Sequence, residues 1–287
     1  MIKNREGSHV IMTNLEGRSE MNHIVSLEWL KERLNEPGLV AADCRFLMGQ
    51  PEAGRAQYET SHIPGAVYLD LEKDLSGPVE QHGGRHPLPD IFDLTVTLSR
   101  AGIDNETTVV AYDDQGGAMA SRLWWLLKYL GHEHVYVLDK GFSAWNQAGY
   151  PVTAELPAIR PAIYLATVQH TMLVEMAELK EKLGDDRIVI IDSREAPRYR
   201  GETEPLDRLA GHIPGAINRF WKDGLDTTGA WKDAGGQAER FADLDRDREL
   251  IVYCGSGVTA TPNVIALQEA GFEKVRLYVG SWSDWIS

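Results

Sequence analysis

The chain of 287 residues is 43% apolar and 25% charged, which excludes a peptide-sized or disordered protein and leaves room for two domains of about 150 residues. Its 29 Lys and Arg stand against 43 Asp and Glu, a net charge of −14, so its surface repels nucleic-acid backbones and anionic lipid, and neither nucleic acid nor a membrane is an expected partner. Two cysteines, Cys44 and Cys254, cannot build a secreted disulfide scaffold, and no apolar run reaches the roughly 18 residues of a spanning helix; the expected compartment is the reducing cytoplasm.

In chain order, the polar opening over 1–22 reads as a flexible leader. Val40-Ala41-Ala42-Asp43-Cys44-Arg45 is an apolar run ending in Asp-x-Arg, and it returns as Val189-Ile190-Ile191-Asp192-Ser193-Arg194. His62-Ile63-Pro64-Gly65-Ala66 returns as His212-Ile213-Pro214-Gly215-Ala216, a turn opening a short strand in both places. Ser76 to Pro89, rich in Gly and Pro, reads as an irregular loop of functional length facing the partner half. Thr108 to Tyr112 and Leu250 to Tyr253 are a third matched strand, each followed by a glycine-containing loop and a helical stretch ending at Gly131 or Gly271. Val135 to Leu138 and Val275 to Val279 follow, then Trp145 and Trp285. Apolar strands without strict alternation, separated by amphipathic stretches, predict two α/β domains with mostly parallel sheets covered on both faces. Three prolines, Pro151, Pro157 and Pro161, mark an extended linker over 151–165, leaving domains at 23–150 and 166–287.

The chemically loaded segment is Val252-Tyr253-Cys254-Gly255-Ser256-Gly257-Val258-Thr259-Ala260. A buried strand ends on cysteine, and a Gly-x-Gly loop leads into a helix whose first turn accommodates Pro262. Ligands bind beyond the carboxyl ends of parallel strands, where helix amino termini offer unpaired N–H groups. A free thiol has a pKa of about 8.5, and such a setting lowers it to roughly 3.5–7.5. Gly255 and Gly257, by permitting positive φ, let successive N–H groups form a nest for an anionic sulfur. The competing reading is a small buried apolar residue. A cysteine phosphatase loop would carry His before the nucleophile and Arg six positions after it; Tyr253 and Ala260 stand there, so phosphoryl transfer lacks its guanidinium fork.

From about Ile24 to Ser287 the sequence resembles the tandem two-domain sulfurtransferases of the rhodanese superfamily. The resemblance rests on the doubled His-Ile-Pro-Gly-Ala, on Gly141-Phe142-Ser143-Ala144-Trp145 and Gly271-Phe272, on Arg198-Tyr199-Arg200-Gly201-Glu202, and above all on Cys254 to Thr259. It implies a catalytically silent first half, in agreement with Asp113 standing where the second half has Cys254. It also implies double displacement: a donor passes sulfur to Cys254, and a thiol, such as thioredoxin or a low-molecular-weight thiol, or cyanide removes it from the persulfide. No metal or organic cofactor is implied.

Cys-Gly-Ser-Gly-Val-Thr resembles the mercaptopyruvate branch, whereas thiosulfate-using members carry two cations in the loop. The resemblance makes Gly255, Gly257, Val258 and Thr259 the sulfur-binding loop and Arg198 and Arg208 candidates for holding the donor's carboxylate and keto oxygen; solvated loop arginines paired with Glu202, Glu204 or Asp207 are the alternative. It suggests that Ser256 moves a proton together with a histidine of the silent half, for which His62 is the candidate and Glu52 a substitute acidic partner. His212 occupies the matching place, so the motif has an alternative reading as a turn in both halves. Cys44, Trp124 and Trp125 read as packing. Thiosulfate as donor, or a non-catalytic rhodanese-like binding module, are the competing functions.

Overall fold

The structure, a computed structural model, describes residues 23–287; the leader expected over 1–22 lies outside the described residues. In the first half β1 (Ile24–Val25), α1 (Leu27–Arg33), β2 (Leu39–Asp43), α2 (Ala53–Thr60), β3 (Val67–Tyr68), α3 (Ile91–Arg100), β4 (Thr108–Tyr112), α4 (Ala118–Tyr129), β5 (Val135–Leu138) and α5 (Gly141–Gln147) follow one another. The second half contains α6 (Met176–Glu181), β6 (Ile188–Asp192), α7 (Ala196–Tyr199), β7 (Ile217–Asn218), α8 (Ala234–Arg240), β8 (Glu249–Tyr253), α9 (Thr261–Glu269), β9 (Val275–Leu277) and α10 (Ser281–Trp285). The sheets are ordered β1-β5-β4-β2-β3 and β7-β6-β8-β9, and every strand pair is parallel. Helices cover both faces, so β4 and β8 bury nearly every side chain, which is why these strands read as unbroken apolar runs.

The repeated motifs prove to be the fastenings of this scaffold. At the end of β2, Arg45 closes a bidentate pair on Asp43, with Nη2 to Oδ2 at 2.6 Å, and donates again to the Ser61 carbonyl at 2.7 Å. Arg194 repeats this on Asp192 at 2.6 Å and on the Gly211 carbonyl at 2.6 Å. Each buried pair thus pins the residue just before His-Ile-Pro-Gly, and its extra hydrogen bonds offset the desolvation of both ions. The turn is fixed from the other side by strand-end tyrosines. Tyr112 Oη receives the Ile63 N–H at 3.3 Å, and Tyr253 Oη that of Ile213 at 3.1 Å.

One apolar core runs through both halves, joining Leu123, Trp124 and Leu127 of α4 to Val264 and Leu267 of α9, which pack helix on helix. A smaller cluster lies on the outer face of each sheet. The connecting segment is extended and lies along the first half: Thr153 exchanges both backbone hydrogen bonds with His62, and Ala162 N–H reaches the Ser99 carbonyl. The 76–89 loop does face the partner half, as Gly83 N–H donates to Asp284 at 2.7 Å and Arg85 N–H to Ser283 at 3.1 Å. Among the described residues no helix is long and apolar enough to cross a membrane.

Candidate active site

Cys254 lies one residue beyond β8, a central strand of its sheet, at the carboxyl edge where parallel sheets bind ligands. Its backbone is held by α10: Cys254 N–H donates to Ser281 Oγ at 3.1 Å, and Trp282 N–H to the Cys254 carbonyl at 3.0 Å. Ser281 adopts φ 56° in making this contact, a conformation unusual outside glycine. The loop then runs to Ala260, the residue capping α9, and Pro262 sits in that helix's first turn. Among the described residues, the N–H groups of Gly255, Ser256, Gly257, Val258, Thr259 and Ala260 donate to no protein oxygen, although all but Thr259 are buried. Buried N–H groups in such number are rare unless an anion uses them.

The two glycines serve different ends. Gly257 has φ 76°, and a Cβ there would fall 2.1 Å from the Val279 carbonyl oxygen, so no other residue fits. Gly255 is not in the positive-φ region, contrary to expectation. Its bareness makes room for charge: a Cβ would lie 3.0 Å from Arg85 Nη2 and 3.4 Å from Arg198 Nη2. Val258 is buried and its carbonyl accepts both the N–H and the hydroxyl of Thr261.

Ser256 meets a histidine of the first half, but not the one expected. His86 Nδ1 lies 2.8 Å from Ser256 Oγ. Burial, aided by the Arg122 and Arg85 charges, lowers the His86 pKa to about 4, so the ring is neutral at pH 7. His62 is placed elsewhere. Its ring stacks on Tyr58 at 4.0 Å and its nitrogens meet the carbonyls of Tyr58 at 2.6 Å and Glu155 at 3.2 Å. His212 repeats the stack on Tyr199 and the contact to its carbonyl at 2.7 Å, so the shared histidine builds the turn in both halves. Glu52 does not reach His62 either; it is exposed and paired with Lys73 at 2.7 Å. His86 lies in an irregular glycine-rich loop that the duplication does not repeat, and its partner is 170 positions away; only its position in a loop expected to face the other half pointed to it.

Arg198 flanks Gly255 and makes the carboxylate pairing that was the alternative reading for it. Its Nε and Nη2 hold Glu204 at 3.1 and 2.6 Å. Burial works against the Glu204 charge, yet Arg198 and the N–H groups of Leu206 and Asp207 hold its carboxyl below the usual range. Arg208 donates to the Ile286 carbonyl and lines a cavity of about 500 Å³ together with Gly84, Arg85, Asp207 and Ser283. The guanidinium that shares Gly255 with Arg198 is therefore Arg85, which the sequence reading missed.

A third arginine approaches from below the loop. Arg122 on α4 is wholly buried and has no carboxylate partner among the described residues. Nη1 donates to the Gly257 carbonyl at 3.2 Å, and Nη2 to those of Leu75, His86 and Pro87 at 3.2 to 3.3 Å. Burial pulls its pKa down to about 10, and Cys254 is the group that opposes this. One cation from the first half thus ties the cysteine loop to the His86 loop. Cys44, by contrast, is packing: burial and Asp43 push its thiol far above the ordinary range. Trp124 and Trp125 are fully buried in the shared core.

Two parallel-sheet halves with a single cysteine loop at their junction, walled by histidine and arginine of the first half, define a duplicated α/β protein with one such loop. Residues 26–148 and 175–287 both match the rhodanese-like domain, and the chain belongs to the rhodanese family. It is 44% identical to a probable 3-mercaptopyruvate sulfurtransferase of Pseudomonas aeruginosa, over 92% of this chain and 95% of that protein. It is 34% identical to a thiosulfate sulfurtransferase of Mus musculus, over 91% of each. Among solved structures, the 3-mercaptopyruvate enzyme SseA of Escherichia coli superimposes with a TM-score of 0.81 at 30% identity, covering 92% of this chain and all of that one.

Proposed function

We propose that the protein is a sulfurtransferase that takes sulfur from 3-mercaptopyruvate and passes it, through a persulfide on Cys254, to a thiol or cyanide in the cytoplasm. The Cys254 thiolate attacks the donor sulfur and forms the S–S bond. The sulfur–carbon bond breaks, and its electron pair leaves on pyruvate enolate, which takes up a proton to become pyruvate. The acceptor then attacks the outer sulfur and releases the Cys254 thiolate. The unpaired N–H groups from Gly255 to Ala260 stabilise negative charge on either sulfur, as preorganised donors do where charge develops. Arg198, with Arg208 at the rim, holds the donor carboxylate. The neutral His86, with Ser256, moves the proton that the enolate needs.

The observation carrying this reading is the Ser256–His86 contact beside Cys254: proton delivery is what a carbon leaving group requires and thiosulfate does not. The relatives named for thiosulfate keep that donor as the second reading. In the decisive experiment the protein is incubated with 3-mercaptopyruvate, and pyruvate release is measured with the mass of the Cys254 peptide. Stoichiometric pyruvate and a gain of one sulfur, about 32 Da, are expected, with neither in Cys254→Ser. Comparing kcat/KM for the two donors ranks them, since the ratio measures relative transition-state binding; a higher value for thiosulfate reverses the assignment.

A further inference from the structure

Arg85 and Arg198 come from different halves and converge over Gly255, and the group that joins them is Asp207. Its Oδ1 pairs with Arg85 Nη1, and its Oδ2 lies 3.4 Å from Arg198 Nη2. The Asp207 side chain is only 4% exposed, against 27% for Arg85. A carboxylate bridging two guanidiniums beside the nucleophile is the arrangement expected of a bound donor. Here the protein supplies that carboxylate itself.

The charges around it balance. Arg194 pairs with Asp192 and Glu204, Arg198 with Glu204 and Asp207, and Arg85 with Asp207. Three guanidiniums and three carboxylates form one closed network with no net charge. An anion entering this network either meets no compensating charge or replaces a resident carboxylate. Asp192 and Glu204 are tied down by two arginines or by backbone N–H groups. Among the described residues Asp207 accepts only from the two arginines over Gly255, so it is the member an incoming carboxylate displaces.

Resting on the proposed function, we infer that Asp207 is a resident stand-in for the donor carboxylate, that Arg85 of the silent half is a donor-binding residue, and that Asp207 selects donors of single charge. When Asp207 swings out, one positive charge is uncovered. The displaced carboxylate stays beside the clamp on its own loop and repels a dianion such as thiosulfate about twice as strongly as a monoanion, a repulsion that Asp207→Asn removes.

Protection of Cys254 from iodoacetamide, with pyruvate as the monoanion and sulfate as the dianion, tests this without any sulfur transfer. Asp207→Asn is expected to tighten pyruvate by about threefold and sulfate by about tenfold or more, a difference set by one charge at close range. Arg85→Gln weakens both by about tenfold. With turnover, Asp207→Asn moves the kcat/KM ratio towards thiosulfate, and Arg85→Gln raises KM for mercaptopyruvate more than it lowers kcat. If Asp207→Asn weakens both anions alike or leaves them unchanged, Asp207 is a strut for the arginines and the inference fails; unchanged protection in Arg85→Gln removes Arg85 from the site. Should the wild type release no pyruvate from mercaptopyruvate, the proposed donor falls, while the anion measurements still decide the clamp.

Discussion

The loop after β4 and the loop after β8 occupy the same place in two copies of one fold, and they treat negative charge in opposite ways. In the first half the Asp113 carboxylate turns back into its own loop. It accepts the N–H groups of Gln115 and Gly117 on Oδ1, and those of Met119 and Ala120 on Oδ2, all at 2.7 to 2.9 Å. Burial still pushes its carboxyl above the usual range, against the pull of those four donors. In the second half α9 starts seven residues after Cys254, whereas α4 starts five after Asp113. The longer loop keeps a run of N–H groups without an acceptor among the described residues. The Asp113 side chain fills its own nest, whereas the Cys254 side chain leaves the donors of its loop unused.

The most severe way to break this contrast is to remove the sulfur. Cys254→Ser is expected to abolish pyruvate release, and Asp113→Cys added to that variant is expected to restore nothing, because the shorter loop and the absence of a facing Ser–His pair leave the new thiol without a site. Activity in the double variant, read as pyruvate release, would mean that the loops are interchangeable.

Next in size is His86. His86→Gln is expected to lower kcat for mercaptopyruvate by about a hundredfold, the lower end for a general acid or base. It also has a pH signature. Folding holds the ring neutral, with a pKa of about 4 against 6.5 in the unfolded chain. The unfolded chain therefore takes up a proton that the folded one refuses. The stability contributed by the neutral ring is complete above pH 6.5 and is lost as the pH falls towards 4, by about 3 kcal/mol. His23 is lowered to about 4 as well, by burial and then by Lys128, so the difference between wild type and His86→Gln in pH-dependent urea unfolding isolates the His86 share.

Asp113→Asn is expected to destabilise the protein by about 2 kcal/mol, since two N–H groups then face an amide donor in place of a carboxylate oxygen. Its kcat is expected to change less than twofold. The smallest kinetic effect belongs to His62→Gln, which is expected to lower the midpoint of unfolding while leaving kcat/KM within about twofold of wild type; a pyruvate-release loss comparable with that of His86→Gln would return His62 to the catalytic machinery.

Much of this architecture was legible in the residues because duplication prints each device twice. The apolar strands, the Asp-x-Arg ends and the doubled turn appear in register, and a parallel sheet leaves few other readings for unbroken apolar runs between helices. The same doubling misdirected the choice of histidine. His62 stood out because it recurs, but recurrence marks what both halves need, which is a stacked and doubly bonded turn. Asymmetry between the halves has to come from what is not repeated, and His86 and Arg85 lie in just such a segment. Arg198 was legible from the motif around it; that its neighbour is Arg85 and not Arg208 depends on how two distant loops meet across the junction, which no local spacing encodes. Gly255 was misjudged because the missing side chain was credited to backbone freedom when neighbouring guanidiniums need the space.

The buried Arg122 binds the first half to the second. The first copy carries Asp113 where the second has Cys254, yet a guanidinium on its α4 donates to carbonyls on both sides of the junction. An exhaustive substitution survey should therefore find this position in the first copy as intolerant as the loop around Cys254. The second copy expressed alone would lack both the wall that the first supplies and its share of the common core.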